Sequence, residues 1–579
     1  MTMRSLVFDI ETDDLKATKV WCIVAQDLDS NEIFRFAPHQ LESGLELLQS
    51  ADRLIGHNII GFDIPVIKKL LGVDLSNKII VDTLVLSRLF NPSRQGGHGL
   101  EMWGFKVGYS KIEFDDYANY SEEMMKYCVR DVQLNRIVYY ELKEESKGFS
   151  KESKELEHGI SAILKKQEAD GFLFDRKKAE ELLADFYKRM NEAEEEVHKV
   201  FKPKMVDVKE VTPYIRKDGK LSKRGLSDEE YEKCFNTGNH EPFMRQKLED
   251  FNLSSRSQIA ERLQEFGWKP TEFTAKGQAK CTYKILDKIE GIPEAKVIRK
   301  YQTLEKVIAQ IKSWVKAIEE DERIHGFVVP NGTITGRMTH RNPNMAQCPK
   351  KPPYGMMCRE CWIVPRGYKL VGIDASGLEG RMLAHYMKDE DYINEIIKHG
   401  DIHKRNQQIT GLKSRDQSKS FLYSLIYGAG NAKLGSVVGG SAKDGKRLRE
   451  NFFADKPKFT RLRDRVTKAS WKGYLKALDG RRIIIRERHS SLNFLLQSAG
   501  SIVMKRALII LDDEAQKQKL DYKFVANIHD EWQVEVKTED AEQFGSIGVQ
   551  AIRDAGEYYN MNCPLDGEYK IGDNWSETH

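Results

Sequence analysis

The segment "KFVANIHDEWQVEV" (523–536) decides how the second half of the chain is read. Phe524, Ala526 and Ile528 alternate with polar residues, and Trp532, Val534 and Val536 do the same. Two short period-two runs joined by a bend read as a β-hairpin that buries one face. At the bend stand His529, Asp530 and Glu531. Carboxylates between core strands are costly unless something neutralises them. From the hairpin alone, a polar tip in solvent is the simpler reading.

A second acidic strand end changes that balance. "YKLVGIDASGLEGRMLAHY" (368–386) is an apolar run that stops at Asp374, then a turn, then a helix that begins near Leu378 and carries Glu379. If this strand lies beside the hairpin, Asp374 and Asp530 converge. Two hard divalent cations could then bridge them together with substrate phosphates. Between the two acidic segments, "SRDQSKSFLYSLIYGAG" (414–430) spaces Arg415, Lys419, Tyr423 and Tyr427 four residues apart. Such a row winds slowly along one side of a helix. The cations lie in its N-terminal half, where the helix dipole is also positive, and Gly428 ends it. The row suits a ligand with phosphates at one end and a flat base at the other, or equally an amphipathic helix with its tyrosines in the core. His403 in "GDIHKRN" lies just upstream.

The N-terminus carries its own acids. "LVFDIETDD" places Asp9 and Glu11 two apart on a strand, so both carboxylates share a face. Paired carboxylates without His or Cys point to Mg²⁺ or Mn²⁺. Asp63 in "GHNIIGFDIPVI" sits among apolar residues, and Tyr127 and Asp131 in "YCVRDV" stand one helical turn apart.

Bulk properties bound the class. A chain of 579 residues is too long for one core. No apolar run of about 18 residues is present and the N-terminus lacks a signal-peptide core, so neither a membrane span nor export is expected. Eight scattered cysteines fit a reducing cytoplasm. Net charge is only +4, but 201–224 holds eight basic residues against three acidic ones, and 456–488 is also basic. Basic surface beside acidic clusters suits a protein that grips phosphate backbone, although a solvated charged face explains any single run. "GAGNAKLG" follows a helix and is not a dinucleotide loop, and Cys358 and Cys361 in "CREC" lack a second ligand pair, so they read as ordinary cysteines.

Six segments resemble known families in order. "FDIET", "GHNIIGFDIPVI" and "YCVRDV" look like the three motifs of DEDD-type 3′–5′ exonucleases with Tyr in the third. "DASGLEGR", "RDQSKSFLYSLIYG" and "NIHDEW" look like motifs A, B and C of family A DNA polymerases, in a form similar to the bacteriophage T7-type replicative enzymes. "GTITGRMTHRNPNMAQCP", "LDGRRIIIRERH", "LNFLLQSAG", "NLSSRSQIAERLQEFGWKPTEFT" and "GDNW…H" support the match. A bacterial-type repair polymerase and a nuclease with a DNA-binding module are the alternatives. The chain opens on the nuclease motifs, so no 5′ nuclease domain is expected.

The resemblance implies a multidomain α/β and α+β protein, with an RNase H-like 3′–5′ exonuclease domain followed by a right-hand polymerase. Residues 1–150 would be the nuclease, 151–325 the thumb with a basic insertion at 201–250, 326–400 and 480–579 the palm, and 401–479 the fingers. Asp374, Asp530 and the Ala375 carbonyl would hold two Mg²⁺ ions, with Mn²⁺ as a substitute. Asp9, Glu11, Asp63 and Asp131 would hold two more, and Tyr127 would orient the attacking water. Arg415, Lys419 and His403 would bind the incoming triphosphate, Tyr423 would pack on sugar and base, and Glu379 would help exclude ribose. Arg337, Asn344, Gln347, Tyr427, Gly428, Gln497 and His529 would contact primer and template, and Ser254, Ser255 and Arg256 backbone phosphates. Implied partners are primer-template DNA, dNTPs, a helicase-primase and a processivity factor, with thioredoxin in doubt because 201–250 is short. The implied location is the cytoplasm of a host cell. Glu531 receives no role.

Overall fold

The computed structural model describes residues 3–399 and 403–579. The His403 side chain, expected at the triphosphate, lies outside the described residues. The chain divides into two compact units, one from the N-terminus to Asp175 with Ala317–His579, the other Arg176–Lys316.

In the first unit, five strands form a mixed sheet in the order β3-β2-β1-β4-β5, with β1 Ser5–Thr12, β2 Val20–Asp27, β3 Ile33–Phe36, β4 Arg53–Gly56 and β5 Ile79–Asp82. Central β1 is sandwiched. Leu6, Phe8 and Ile10 enter one apolar cluster, while Val7 enters another with Met125, Cys128 and Val132 of helix Glu122–Glu145. Asp9 and Glu11 have the parity of Val7 and so face that helix. Ser121 starts the helix by accepting the Met124 N–H at 3.0 Å.

A four-stranded antiparallel sheet forms the other half of this unit. Its order is Tyr522–Ile528, Glu531–Lys537, Tyr368–Ala375, Gly567–Gly572. Trp532, Val534 and Val536 join the main core with residues of helices Ser491–Lys517 and Ala541–Tyr558. Two details depart from the sequence reading. A bulge between Phe524 and Ala526 breaks the period of two. The polar face is also buried: Asn527, Gln533 and Glu535 are 0–2% exposed. Each has a partner there, Asn527 donating to Gln167 although its own Oδ1 accepts from nothing, Gln533 accepting from the Thr578 hydroxyl, and both Glu535 oxygens accepting from Arg323 Nη2. Helix Ser491–Lys517 is long and apolar enough to cross a membrane by length and composition, but most of it is buried in this core. Helices Arg415–Ile426, Asn431–Ser436, Ala442–Asp455 and Pro457–Ala469 follow one another in the expected fingers segment.

The second unit starts at Arg176, not at 151. Helix Lys151–Asp170 belongs to the first because Leu156, Ile160, Ile163 and Leu164 pack into its main core. In the second unit, Ala193 and Val197 of helix Arg176–Val200 pack with Ala295, Ile298 and Tyr301 of helix Glu294–Lys316. The 201–250 segment is more ordered than a polar tip: strands Lys204–Val211 and Phe243–Glu249 pair antiparallel, with helix Asp228–Thr237 between them.

Candidate functional site

At the end of strand Tyr368–Ala375, Asp374 lies between Glu531 and Glu568 of the neighbouring strands. The Ala375 N–H donates to the Asp530 carbonyl at 3.0 Å, which fixes the hairpin turn against this strand end. His529 makes that turn at φ 58°. Burial first, then Asp530, Glu531 and Glu568, pushes the Asp374 carboxyl up to about 7, with Lys350 opposing. Asp374, Ala375, Glu379, Arg337, Lys419, Tyr423, His529 and Asp530 line one cavity of about 500 Å³.

Helix Arg415–Ile426 supplies one wall. Ser414 caps it by accepting the Gln417 N–H, which sets Arg415 at its first position. Lys419 and Tyr423 reach the cavity. Tyr427 ends the helix and its hydroxyl donates to Glu379 at 3.4 Å. Burial raises the Glu379 carboxyl, with Arg337, Tyr427 and Lys419 opposing. Gln497 opposes the rise that burial and Glu379 impose on the Tyr427 hydroxyl. Gly428 sits at φ 74°, where a Cβ would come 2.3 Å from the His489 carbonyl. Asn344 stands at the N-cap of the turn Met345–Gln347. In the other unit, the Ser254 hydroxyl donates to Glu305 at 2.5 Å, Ser255 caps helix Arg256–Glu265, and Arg256 opens it.

Glu531 is fully engaged. It accepts from Trp575 Nε1 and Gln533 Nε2, both at 2.7 Å, and lies 2.8 Å from His579 Nδ1. Burial alone would raise its carboxyl, but His579, Trp575 and Gln533 hold it below its ordinary value. Sequence reasoning missed this cluster, and also Lys505. Lys505 lines the cavity from inside an apolar helix, and its ammonium donates to buried Glu157 at 2.6 Å, as does Arg481 Nη1. A lone lysine inside an apolar helical run was the available signal.

The second centre lies on β1. Asp9, Glu11 and the Cys128 thiol present donor atoms within 4.8 Å of one another. Helix Glu122–Glu145 also places Cys128, next to Tyr127, against Asp9, which the sequence reading did not anticipate. Asp63 opens helix Asp63–Leu71 and accepts the Ile10 N–H at 3.2 Å. Burial, then Asp63, Glu11 and Asp131, raises the Asp9 carboxyl. Burial, then Cys22 and Asp131, pushes Glu11 up to about 9, and burial pushes Asp63 up to about 7. Buried Asp131 keeps its Oδ1 without a hydrogen-bond partner. Clustered carboxylates that resist ionisation, one with an idle buried oxygen, fit a hard divalent cation.

Comparison with known proteins gives three findings. The family model described as DNA polymerase family A matches residues 226–577. The DNA-directed DNA polymerases of Enterobacteria phage T3 and Escherichia phage T7 are 32% and 31% identical, over 99% of this chain and 100% of theirs. Each match runs over 706 residues, more than this chain's 579, so those relatives contain segments that it lacks. Among solved structures, the POL domain of Pol1 from M. smegmatis in complex with DNA primer-template and dNTP superposes with a TM-score of 0.80 at 16% identity, over 100% of this chain and 96% of that one.

Proposed function

The chain belongs to the family A DNA polymerases, and from that premise we propose that it extends a primer 3′ end along a DNA template at the Asp374 centre and trims 3′ ends at the Asp9 centre. The observation that carries the first activity is the convergence of Asp374, Asp530, Lys419 and Tyr423 on one cavity.

The all-oxygen set of Asp374, Asp530 and the Ala375 carbonyl suits Mg²⁺, with Mn²⁺ as a substitute. Two such cations, when bound, lower the pKa of the primer hydroxyl and neutralise charge on the triphosphate. Lys419 and Arg415 add positive charge along the triphosphate and take up charge that develops on the leaving pyrophosphate. Tyr423 packs on the sugar and base. Glu379, tied to Tyr427, crowds the sugar and excludes a 2′-hydroxyl. Arg337 and Gln497 read the shared minor-groove acceptors of the new pair. Asn344, Gln347, Gly428 and His529 line the duplex, and Ser254, Ser255 and Arg256 touch phosphates.

At the second centre, Asp9, Glu11, Asp63 and Asp131 hold the cations and Tyr127 orients the water. On this reading residues 1–150 are the proofreading domain and 401–479 the fingers. Residues 326–400 and 480–579 form the palm. The Arg176–Lys316 unit is the thumb. Met205 and Leu248 face each other across its hairpin and are 55% and 66% exposed, which supports a further contact there, with DNA, a helicase-primase or a processivity factor. Work on a replicating genome places the enzyme in the host cytoplasm.

Incorporation of the complementary dNTP into a labelled primer tests the reading. Template-dependent extension in Mg²⁺ is expected, and its absence at every divalent cation concentration refutes it.

A further inference from the structure

The nuclease centre already contains a cation of the protein's own. Lys111 lies on the loop after helix Leu100–Val107, and its ammonium sits 2.6 Å from Asp131 Oδ2 and 4.7 Å from the centre of the Tyr127 ring. The loop around it is anchored at both ends. Arg130 donates to the Ser110 carbonyl at 2.7 Å and stacks on Tyr109 at 3.5 Å. The Tyr117 carbonyl accepts Trp21 Nε1 at 3.0 Å, and Phe114 and Tyr117 pack on the Tyr127 ring. The backbone is pinned while the Lys111 side chain stays 23% exposed, against 6% for its partner Asp131.

A carboxylate oxygen that pairs with an ammonium cannot donate the same lone pair to a metal ion. We infer that Lys111 is a resident counter-cation that competes with the divalent cation for Asp131, so that it positions this carboxylate while the centre is empty and sets how much metal the nuclease needs. The inference rests on the proposed nuclease reading. The ammonium balances one of four clustered acids, which keeps the centre folded without metal. Asp131 Oδ1 is idle and would be the oxygen left for a cation, which would then share the carboxylate's charge with Lys111 on Oδ2.

Mn²⁺ binding followed by electron paramagnetic resonance tests the inference in the full chain, on an Asp374→Asn background that silences the polymerase centre. Lys111→Met should bind Mn²⁺ at least roughly tenfold more tightly than Lys111, because a charge at this range is worth about 1–3 pKa units. Lys111→Arg, which keeps the charge, should stay near the parent value. Equal or weaker binding by Lys111→Met overturns the inference, showing that the ammonium only orders the acids. Unchanged primer extension by Lys111→Met on the native polymerase background shows that the variant folds. A parent that loses no Mn²⁺ on Asp9→Ala with Glu11→Ala overturns instead the nuclease reading beneath it.

Discussion

Glu531 Oε2 and the imidazole Nδ1 of His579 lie 2.8 Å apart, directly beside the strand pair that brings Glu531 opposite Asp374. His579 thus reaches the catalytic sheet and holds a third carboxylate ionised next to the two that are proposed to bind metal. Loss of a hydrogen bond to a charged group costs about 1.5–3 kcal/mol. His579→Ala should slow dNTP incorporation roughly tenfold or more and leave 3′ trimming unchanged. Equal single-turnover rates for the variant and the parent would contradict this role.

Metal binding should depend on pH in a stated direction. Burial and the neighbouring acids lift Asp374 to about 7, well above its ordinary 3.8. Folding therefore favours its protonated form. That contribution is complete below about pH 4 and is lost as the pH rises through about 7. A divalent cation on the ionised carboxylate restores it. The rise in Tm from saturating Mg²⁺ should be larger at about pH 8 than at about pH 6, and Asp374→Asn should shrink the difference. A gain independent of pH counts against the assignment.

Glu157 is the hub of a buried network whose Oε1 accepts from both Arg481 and Lys505 at 2.6 Å. Burial pushes Lys505 down to about 8 even against the pull of Glu157. Glu157→Leu strands Lys505 in the core, while Arg481 keeps Asp479, and should cost about 3–5 kcal/mol. Replacing Lys505 by Met in the same chain should recover part of that loss, since the stranded charge is removed. An unaltered denaturant midpoint for Glu157→Leu would show that the network carries no stability.

Sugar discrimination should reside in Glu379. Its carboxylate accepts from the Tyr427 hydroxyl and lines the same cavity as Asp374 and Tyr423. Glu379→Ala should raise ribonucleotide relative to deoxyribonucleotide incorporation roughly tenfold to a hundredfold. Competition between rATP and dATP on one template measures it, and an unaltered ratio removes Glu379 from this role.

Much of both sites was legible because the chemistry is written in local patterns. Asp9 and Glu11 share a face by period two, and Arg415, Lys419, Tyr423 and Tyr427 share a side by near-helical period. Asp374 was legible as a strand end, and its pairing with Glu531 needed only adjacency of two apolar strands. What escaped depends on contacts between separate elements rather than on local pattern. Gln533 and Glu535 read as the wet side of a hairpin, but Thr578 and Arg323 cover them. Lys111 and Cys128 stand in segments that differ little from ordinary loop and helix, and only the fold brings them to Asp131 and Asp9. That the second compact unit starts at Arg176 was not legible, because helix Lys151–Asp170 resembles its helical neighbours in sequence while its apolar stripe serves the main core.

The central claim is that two separate carboxylate centres carry two separable activities. Primer extension and 3′ trimming of a single strand should be measured side by side for Asp530→Ala and for Asp9→Ala with Glu11→Ala. The account predicts that Asp530→Ala loses extension by more than about a hundredfold and still trims, while the double variant extends and no longer trims. Extension retained by Asp530→Ala, or trimming retained by the double variant, would contradict it.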